Sequence, residues 1–237
     1  MHLRTHRGVS LALLPVLLTA CAAAQGTQGA GRNAPKVTAR TAKQTQKANK
    51  PPFKDQIDGL IGALHQTMVK AGDGKGAMGD GSCLMTAQIL AAMGLSHRGY
   101  HSGDGPIIRL PVNYLFSCRR SDGSFGDSGA NIVVTTQWVL DALAALDPEQ
   151  HKEDIAQGTR WLKQQGHTAS AFARFVGATS PDQLKATVIA ASRGLVRGKD
   201  GKPDLRASVD ALLTLVKVQV QQRPVALGAQ DFNKTQA

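Results

Sequence analysis

Aromatic residues are scarce in this chain of 237 residues, at 4% of the total. So few rings argue against an aromatic-rich β-sandwich and against a stacking platform for single-stranded nucleic acid. Acidic residues are absent before Asp55, although residues 1–54 hold 9 of the 28 lysines and arginines. The rest of the chain carries 19 basic and 17 acidic side chains, so most of the net charge of +11 belongs to the N-terminal stretch. We therefore expect no nucleic-acid groove in the folded part.

Long apolar runs are missing as well. The run Val9–Leu18 follows two arginines and is about half as long as the roughly 20 residues that a membrane-spanning helix needs. It ends in Leu18-Thr19-Ala20-Cys21, which resembles a bacterial lipobox. We expect residues 1–20 to be a lipoprotein signal peptide and Cys21 to receive a diacylglyceryl group. Three alanines after this cysteine leave ordinary signal-peptide cleavage open, and the protein is exported in either case.

The composition divides the remaining chain into three parts. Residues 21–54 contain few large apolar side chains and cannot bury enough surface to offset their ordering entropy, which predicts a disordered basic tether. Residues 55–222 are predicted to form a helical domain, and residues 223–237 a flexible tail. The expected location is the bacterial outer membrane or cell envelope, where the lipid anchor makes the membrane a partner.

Strand alternation is missing from the folded part, and its apolar residues recur with a helical period. Helices at 84–93 and 132–146 are apolar on nearly every face, whereas the helices after Asp55 and at 153–165 are apolar on one side. A helix that is apolar all round needs cover on every side, so this alternation predicts an inner layer wrapped by an outer one. Further helices are predicted from Pro111 to Cys118 and near residues 168–176, 181–196 and 204–221.

A repeat of about 50 residues underlies these helices. Asp73-Gly74 recurs as Asp122-Gly123, and Thr86-Ala87-Gln88 recurs as Thr135-Thr136-Gln137, both 49 residues on. Each unit consists of a Gly-rich loop, a buried helix, a second loop and an amphipathic helix, which predicts a helical hairpin. No third loop of this type is predicted after Gly166.

The second unit resembles one repeat of the prenyltransferase and squalene-cyclase repeat family. The resemblance rests on Asp122–Gly126, Thr135–Leu143 and Trp161–Gln165, while Arg119 stands where the family has Gln and Phe125 where Trp is usual. It implies an all-α fold of the α/α-toroid type, with inner helices around a central cavity. Because the folded part has room for only three to four hairpins in two layers, we expect an open partial toroid, or one that closes with a second copy as a homodimer.

The catalytic sets of that family are incomplete here. Terpene cyclases protonate their substrate with an Asp-rich motif, whereas Asp122, Asp127 and Asp141 stand singly. Protein prenyltransferases hold zinc with Asp, Cys and His, and Asp80 and Cys83 are the weak metal candidates here. Their spacing is Asp-x-x-Cys where the family has Asp-x-Cys, and the next repeat offers no His. We therefore expect neither a metal nor another cofactor.

Other candidate groups have structural interpretations. His97 and His101, near Asp104, lie in a Gly-rich loop and are expected to face solvent. Gly126-Asp127-Ser128-Gly129 spells the nucleophile loop of trypsin-like proteases, but a helix follows it, so we interpret it as a turn with a helix cap.

Cys83 and Cys118 are predicted to form a disulfide. The first begins one helix and the second ends the next, and in an antiparallel hairpin these ends are neighbours. Export to an oxidising compartment would preserve the bond. Two buried free thiols are the alternative.

The function that these features favour is a non-catalytic binding module for an envelope protein, an envelope polymer or a hydrophobic ligand. A concave apolar face could be lined by Trp138 with Tyr114, Thr135 and Gln137, although core packing is the simpler role for Trp138. The alternatives are a prenyltransferase or cyclase-like enzyme and a polysaccharide-active α/α-toroid enzyme. The latter would need paired carboxylates in a cleft, whereas Glu149, Glu153 and Asp154 cluster at the start of an outer helix.

Overall fold

The computed structural model describes residues 50–127, 131–168 and 170–222, all within the unit formed by residues 48–237. The predicted signal peptide, most of the predicted tether and the predicted tail lie outside these ranges. Within them the regular structure is helical apart from two isolated β-bridges, which confirms the all-α prediction. The helices are α1 (Lys54–His65), α2 (Cys83–Leu95), α3 (Pro106–Ser117), α4 (Ile132–Leu146), α5 (Lys152–Gln164), α6 (Ala171–Arg174), α7 (Pro181–Ala191) and α8 (Leu205–Gln221).

The inner layer consists of α4, α2 and α8, with α2 packed against both of the others. α2 has no charged residue and is buried along most of its length, because apolar side chains surround it on every face. Gly94 allows the close contact between α2 and α4, since a Cβ atom there would lie 2.7 Å from the carbonyl oxygen of Ala145.

The outer layer covers these helices one by one. α3 packs on α2, α5 packs on α4, and α7 and α1 pack on α8 and on each other. α5 buries only Gly158 and Leu162, as expected for a one-sided helix. The prediction of two layers of helical hairpins, consistent with a partial α/α toroid, is confirmed.

Three predicted helix boundaries were wrong. α3 begins at Pro106 rather than at Pro111, because Gly105 has a left-handed φ of 77° and the proline after it fits the first helical turn. The helix expected near 168–176 is reduced to the single turn of α6. The helix expected at 181–196 ends at Ala191, shortly before a glycine with φ of 88°.

An Asp-Gly turn precedes the inner helix α4. Asp122 Oδ1 accepts the backbone N–H of Ser124 at 2.9 Å, and Gly123 takes a φ of 88°. The two sides of this loop are joined by the N–H of Gly126, which donates to the carbonyl of Cys118 at 3.1 Å.

The same loop recurs before α8, so the prediction of no third loop was wrong. Asp200 Oδ1 accepts the N–H of Lys202 at 3.1 Å, Gly201 has a φ of 74°, and the N–H of Asp204 donates to the carbonyl of Val196 at 2.8 Å. The loop escaped detection because it does not keep the 49-residue offset of the other two.

Threonine hydroxyl groups bind the loops before α2 and α4 to the helices that follow them. Thr86 Oγ1 accepts the N–H of Met78 at 2.9 Å, and Thr136 Oγ1 accepts the N–H of Phe125 at 2.9 Å. The predicted repeat aligned Thr86 with Thr135, whereas the hydrogen bonds align it with the next residue along. Thr135 is also buried, and its hydroxyl has no hydrogen-bond partner among the described residues.

Candidate functional site

The inner face of α4 is covered by the chain that follows α5. We call residues 170–179, which include α6, the bridging segment, because they contact both α4 and α8. On the α4 side, Asp141 Oδ2 accepts the N–H of Phe172 at 2.8 Å, and Gln137 Oε1 accepts a hydrogen bond from Arg174 at 2.5 Å.

On the α8 side, one lysine holds the bridging segment. Lys217 Nζ donates to the carbonyl oxygens of Phe172 at 3.4 Å and Ala173 at 3.2 Å, and also to that of Phe175. The ammonium group lies 5.9 Å from the ring centroid of Phe172. Since a lysine has three donors, these carbonyls satisfy it completely.

Two aromatic side chains of the bridging segment pack on Trp138. The rings of Phe172 and Phe175 meet that indole edge-on at centroid distances of 6.4 and 6.3 Å. Trp138 is only 4% exposed as a result. The inner face expected to form an open apolar concavity is therefore occupied by the chain itself.

The residues proposed to line that concavity do not form one surface. Gln137 and Trp138 lie beneath the bridging segment, and Thr135 is fully buried. Tyr114 belongs to the outer helix α3, where its hydroxyl donates to the carbonyl of Gly81 at 2.7 Å. All four side chains are buried, so the structure places them in packing roles.

Asp141 is a buried acid that the sequence pattern did not single out. Burial raises the pKa of Asp141 to about 6, although hydrogen bonds from the Phe172 N–H and the Ser170 side chain act in the opposite direction. A proton donor of this kind is what a cyclase needs. Here, however, the carboxylate binds the start of α6, and the adjoining cavity, lined by His167 among others, has a volume of about 10 Å³.

A larger cavity lies between the bridging segment and α8. Its volume is about 280 Å³. Backbone and side chains from residues 173–179 form one wall, and α8 contributes Thr214, Lys217, Val218 and Gln221 to the other.

Cys83 and Cys118 are neighbours, as the hairpin geometry predicted, and both are free thiols. The hydrogen bond between them raises the pKa of Cys83, with burial adding to the effect, and lowers the pKa of Cys118. Asp127 joins the pair, because its carboxylate accepts the N–H of Cys83 at 3.0 Å and the thiol of Cys118 at 3.8 Å. The disulfide itself stays a prediction.

The weak metal candidates point apart. The carboxylate of Asp80 is exposed and accepts hydrogen bonds from the N–H and hydroxyl of Ser82 at 2.9 and 2.6 Å, whereas Cys83 is buried beside the second thiol. In the part of the chain that the structure covers, no three His, Cys, Asp or Glu side chains are arranged to hold a metal ion.

The loop histidines differ from one another. His101 is exposed and pairs with Asp104 at 3.2 Å, as expected. His97 was wrongly expected to face solvent: its side chain is 9% exposed and lies 3.3 Å from Asp58. This acid, which no sequence pattern indicated, also binds Arg98 at 2.8 Å and ties α1 to the loop.

The protease-like tetrapeptide has a structural role as far as it is described. Asp127 binds the two cysteines as above, and Ser128 and Gly129 lie outside the described residues. Asn131 caps α4 by accepting the N–H of Val134 at 3.2 Å.

The acidic cluster at the start of α5 does not line a cleft. Asp154 forms an ion pair with Arg119 at 2.6 Å, and the guanidinium group of Arg119 also stacks 5.9 Å above the ring of Phe125. Glu149 is largely exposed and lies 3.9 Å from Lys152. Arg119 thus contacts both Phe125 and Asp154 and joins the loop to α5.

Comparison with known proteins supports the relationship suggested by the repeats. The family model of the squalene-hopene cyclase C-terminal domain matches residues 67–183, which include α2 to α5 and the bridging segment. No curated protein and no solved structure gives a match. Among the residues that the structure describes, no helix is both long and apolar enough to cross a membrane.

Proposed function

We propose that this terpenoid-cyclase-like repeat domain is a non-catalytic binding module, exported and anchored to the bacterial cell envelope by a lipid on Cys21. The observation that carries the proposal is the position of the bridging segment. It fills the inner face where an enzyme of this family would need room for its substrate.

The sizes of the cavities support this proposal. Pockets that enclose small ligands usually measure about 300–1,000 Å³, whereas the space beside Asp141 measures about 10 Å³. The cavity beside α8, at about 280 Å³, is not lined by that acid. A partner that binds at the surface therefore fits better than a hydrophobic ligand inside the domain.

The polar groups of the inner face support it as well. Asp141, Gln137 and Lys217 are each used to hold the bridging segment. Asp141 and Gln137 adjoin only the space of about 10 Å³, and general acid catalysis requires contact with the group that receives the proton.

Two measurements on the full protein, extracted from bacterial membranes, test the two parts of the proposal. Intact mass spectrometry tests the anchor and any retained ligand, and a product assay with squalene and farnesyl diphosphate tests for turnover. We expect a chain that begins at lipidated Cys21, retains no isoprenoid and converts neither squalene nor farnesyl diphosphate. The Cys21→Ser variant should lose the lipid mass and leave the membrane fraction. A bound isoprenoid or any turnover would contradict the non-catalytic role, and an unmodified Cys21 would contradict the anchor.

The same spectrum tests the disulfide that we propose for the exported protein. A mass two hydrogens below that of the reduced chain, restored by a reductant, is expected from a Cys83–Cys118 bond. The Cys83→Ala and Cys118→Ala variants should show no such difference. An unchanged mass would support two free thiols.

A cyclase-like enzyme is the second candidate, and the raised pKa of Asp141 favours it. It requires that the bridging segment leave the inner face. Turnover of squalene by the wild-type protein that is abolished by Asp141→Asn, in a variant that still folds, would establish this alternative.

A further inference from the structure

We propose that Phe175–Thr179 and the facing side of α8 form a docking groove for an extended, acidic segment of a partner protein. The inference rests on the proposed function, which leaves the partner and its binding surface open. Three independent features of this groove point to the same kind of occupant.

The first feature is unpaired backbone. The N–H and C=O groups of Val176, Gly177 and Ala178 make no hydrogen bond within the described residues. On either side the pairing resumes, because the carbonyl of Phe175 accepts from Lys217 and the N–H of Thr179 donates to Gln183 at 2.8 Å. Phe175 has extended backbone angles, with φ of −57° and ψ of 122°. Consecutive residues with free backbone groups, entered through an extended residue, offer the template used when a peptide binds by strand addition.

The second feature is a groove that already exists beside this stretch. A Cβ atom on Gly177 would lie 3.0 Å from the hydroxyl of Thr214, so the backbone rests directly on α8. The cavity of about 280 Å³ opens along this contact and has room for side chains of a bound segment. Val176, at its edge, is 75% exposed and offers an apolar contact.

The third feature is charge. Arg174 and Lys217 line the cavity, and no carboxylate does. Arg174 also interacts electrostatically with Asp141. Lys217 is bound only to neutral carbonyls, so its charge is not compensated by an acid among the described residues. An acidic segment is therefore favoured over a basic or neutral one.

A phage-displayed library of random 12-residue peptides, panned on the full protein, tests the inference. Val176→Pro removes one free N–H, and the extended Phe175 before it is compatible with a following proline. We expect peptides rich in Asp and Glu, with apolar residues between them, to be enriched at least ten-fold on the wild-type protein relative to this variant. Their binding should weaken as salt is raised.

Two further variants keep the test decisive if Val176→Pro disturbs the fold. Val176→Asp should reduce binding of the acidic peptides at least ten-fold, whereas Ile189→Asp, at a residue that is 56% exposed on α7, should leave it unchanged. No enrichment, enrichment of basic peptides, or equal binding to wild type and Val176→Asp would overturn the groove. Enriched peptides that bind all variants equally would place the binding surface elsewhere and leave the proposed function intact, whereas turnover of squalene would overturn that function itself.

Discussion

The inner helix α4 contacts two of its neighbours, α2 and the bridging segment, in different ways. Against α2 the contact is apolar and so close that Gly94 has no room for a Cβ atom. Against the bridging segment, α4 offers Gln137 and Asp141, and both are used as hydrogen-bond acceptors. One side of the same helix is therefore ordinary core, and the other adds polar attachments to the aromatic contacts of Trp138.

The difference indicates where the domain departs from the squalene-hopene cyclase domain whose family model it matches in part. The α2–α4 contact depends on burial of apolar surface, which changes little with pH or salt. The attachment of the bridging segment adds hydrogen bonds from one titratable acid and one lysine to the aromatic contacts of Trp138, so part of its strength should vary with pH. We therefore expect the two contacts to fail independently.

The largest effect should come from breaking the α2–α4 contact. Gly94→Ala places a methyl group 2.7 Å from the carbonyl oxygen of Ala145, and the backbone of α4 must move to relieve the overlap. We expect the free energy of unfolding to fall by about 3 kcal/mol, as measured by urea denaturation. Gly59→Ala is the control: its methyl group meets nothing within 4 Å, and it should raise stability by about 0.5–1 kcal/mol. Equal effects of the two changes would contradict the close packing of these helices.

A comparable effect that depends on pH should come from Asp141. Since burial raises its pKa from 3.8 to about 6 in the folded chain, the folded state binds the proton more tightly than the unfolded state does. The resulting stability is complete below pH 4 and is lost as the pH rises through about 6.

Comparison of wild type with Asp141→Asn isolates this contribution. Between pH 4 and 7 the wild-type protein should lose up to about 3 kcal/mol relative to the variant, as measured by unfolding at a series of pH values. Parallel pH profiles for the two proteins would show that Asp141 is not buried as described.

A smaller and more local effect should follow from Lys217→Met. The change removes three hydrogen bonds to the bridging segment and keeps most of the apolar stem, so we expect a loss of about 1–2 kcal/mol. Hydrogen exchange should speed up in residues 170–179 and stay unchanged in α2. Lys185→Met, at an exposed position of α7, provides the control. Uniform loosening of both regions would contradict separate contacts.

The inner and outer layers could be predicted from sequence because they follow local rules. Apolar residues on every face of α2 and on one face of α5 distinguish inner from outer helices without any knowledge of partners. The Asp122 loop could be predicted for the same reason, since its turn is formed by adjacent residues. The loop at Asp200 has the same local chemistry and was missed only because a fixed repeat offset was required.

The candidate site could not be predicted in this way. The contacts of Asp141 with Phe172, and of Lys217 with the same segment, join residues 31 and 45 positions apart. No periodicity connects a one-turn helix to the two helices that it bridges. Cys83 and Cys118 could be placed together because they lie at adjacent ends of a helical hairpin, but nothing in the sequence pointed to Asp127 as their common partner.

Exposure of Trp138 is the most direct test of the account, because the bridging segment is claimed to cover it. In a Trp161→Phe variant this indole is the only tryptophan, and it is 4% exposed in the structure. We predict a blue-shifted emission that acrylamide quenches poorly, with quenching that rises in the Lys217→Met background. Quenching as efficient as in the unfolded chain would contradict the account, because it would mean that the inner face is open.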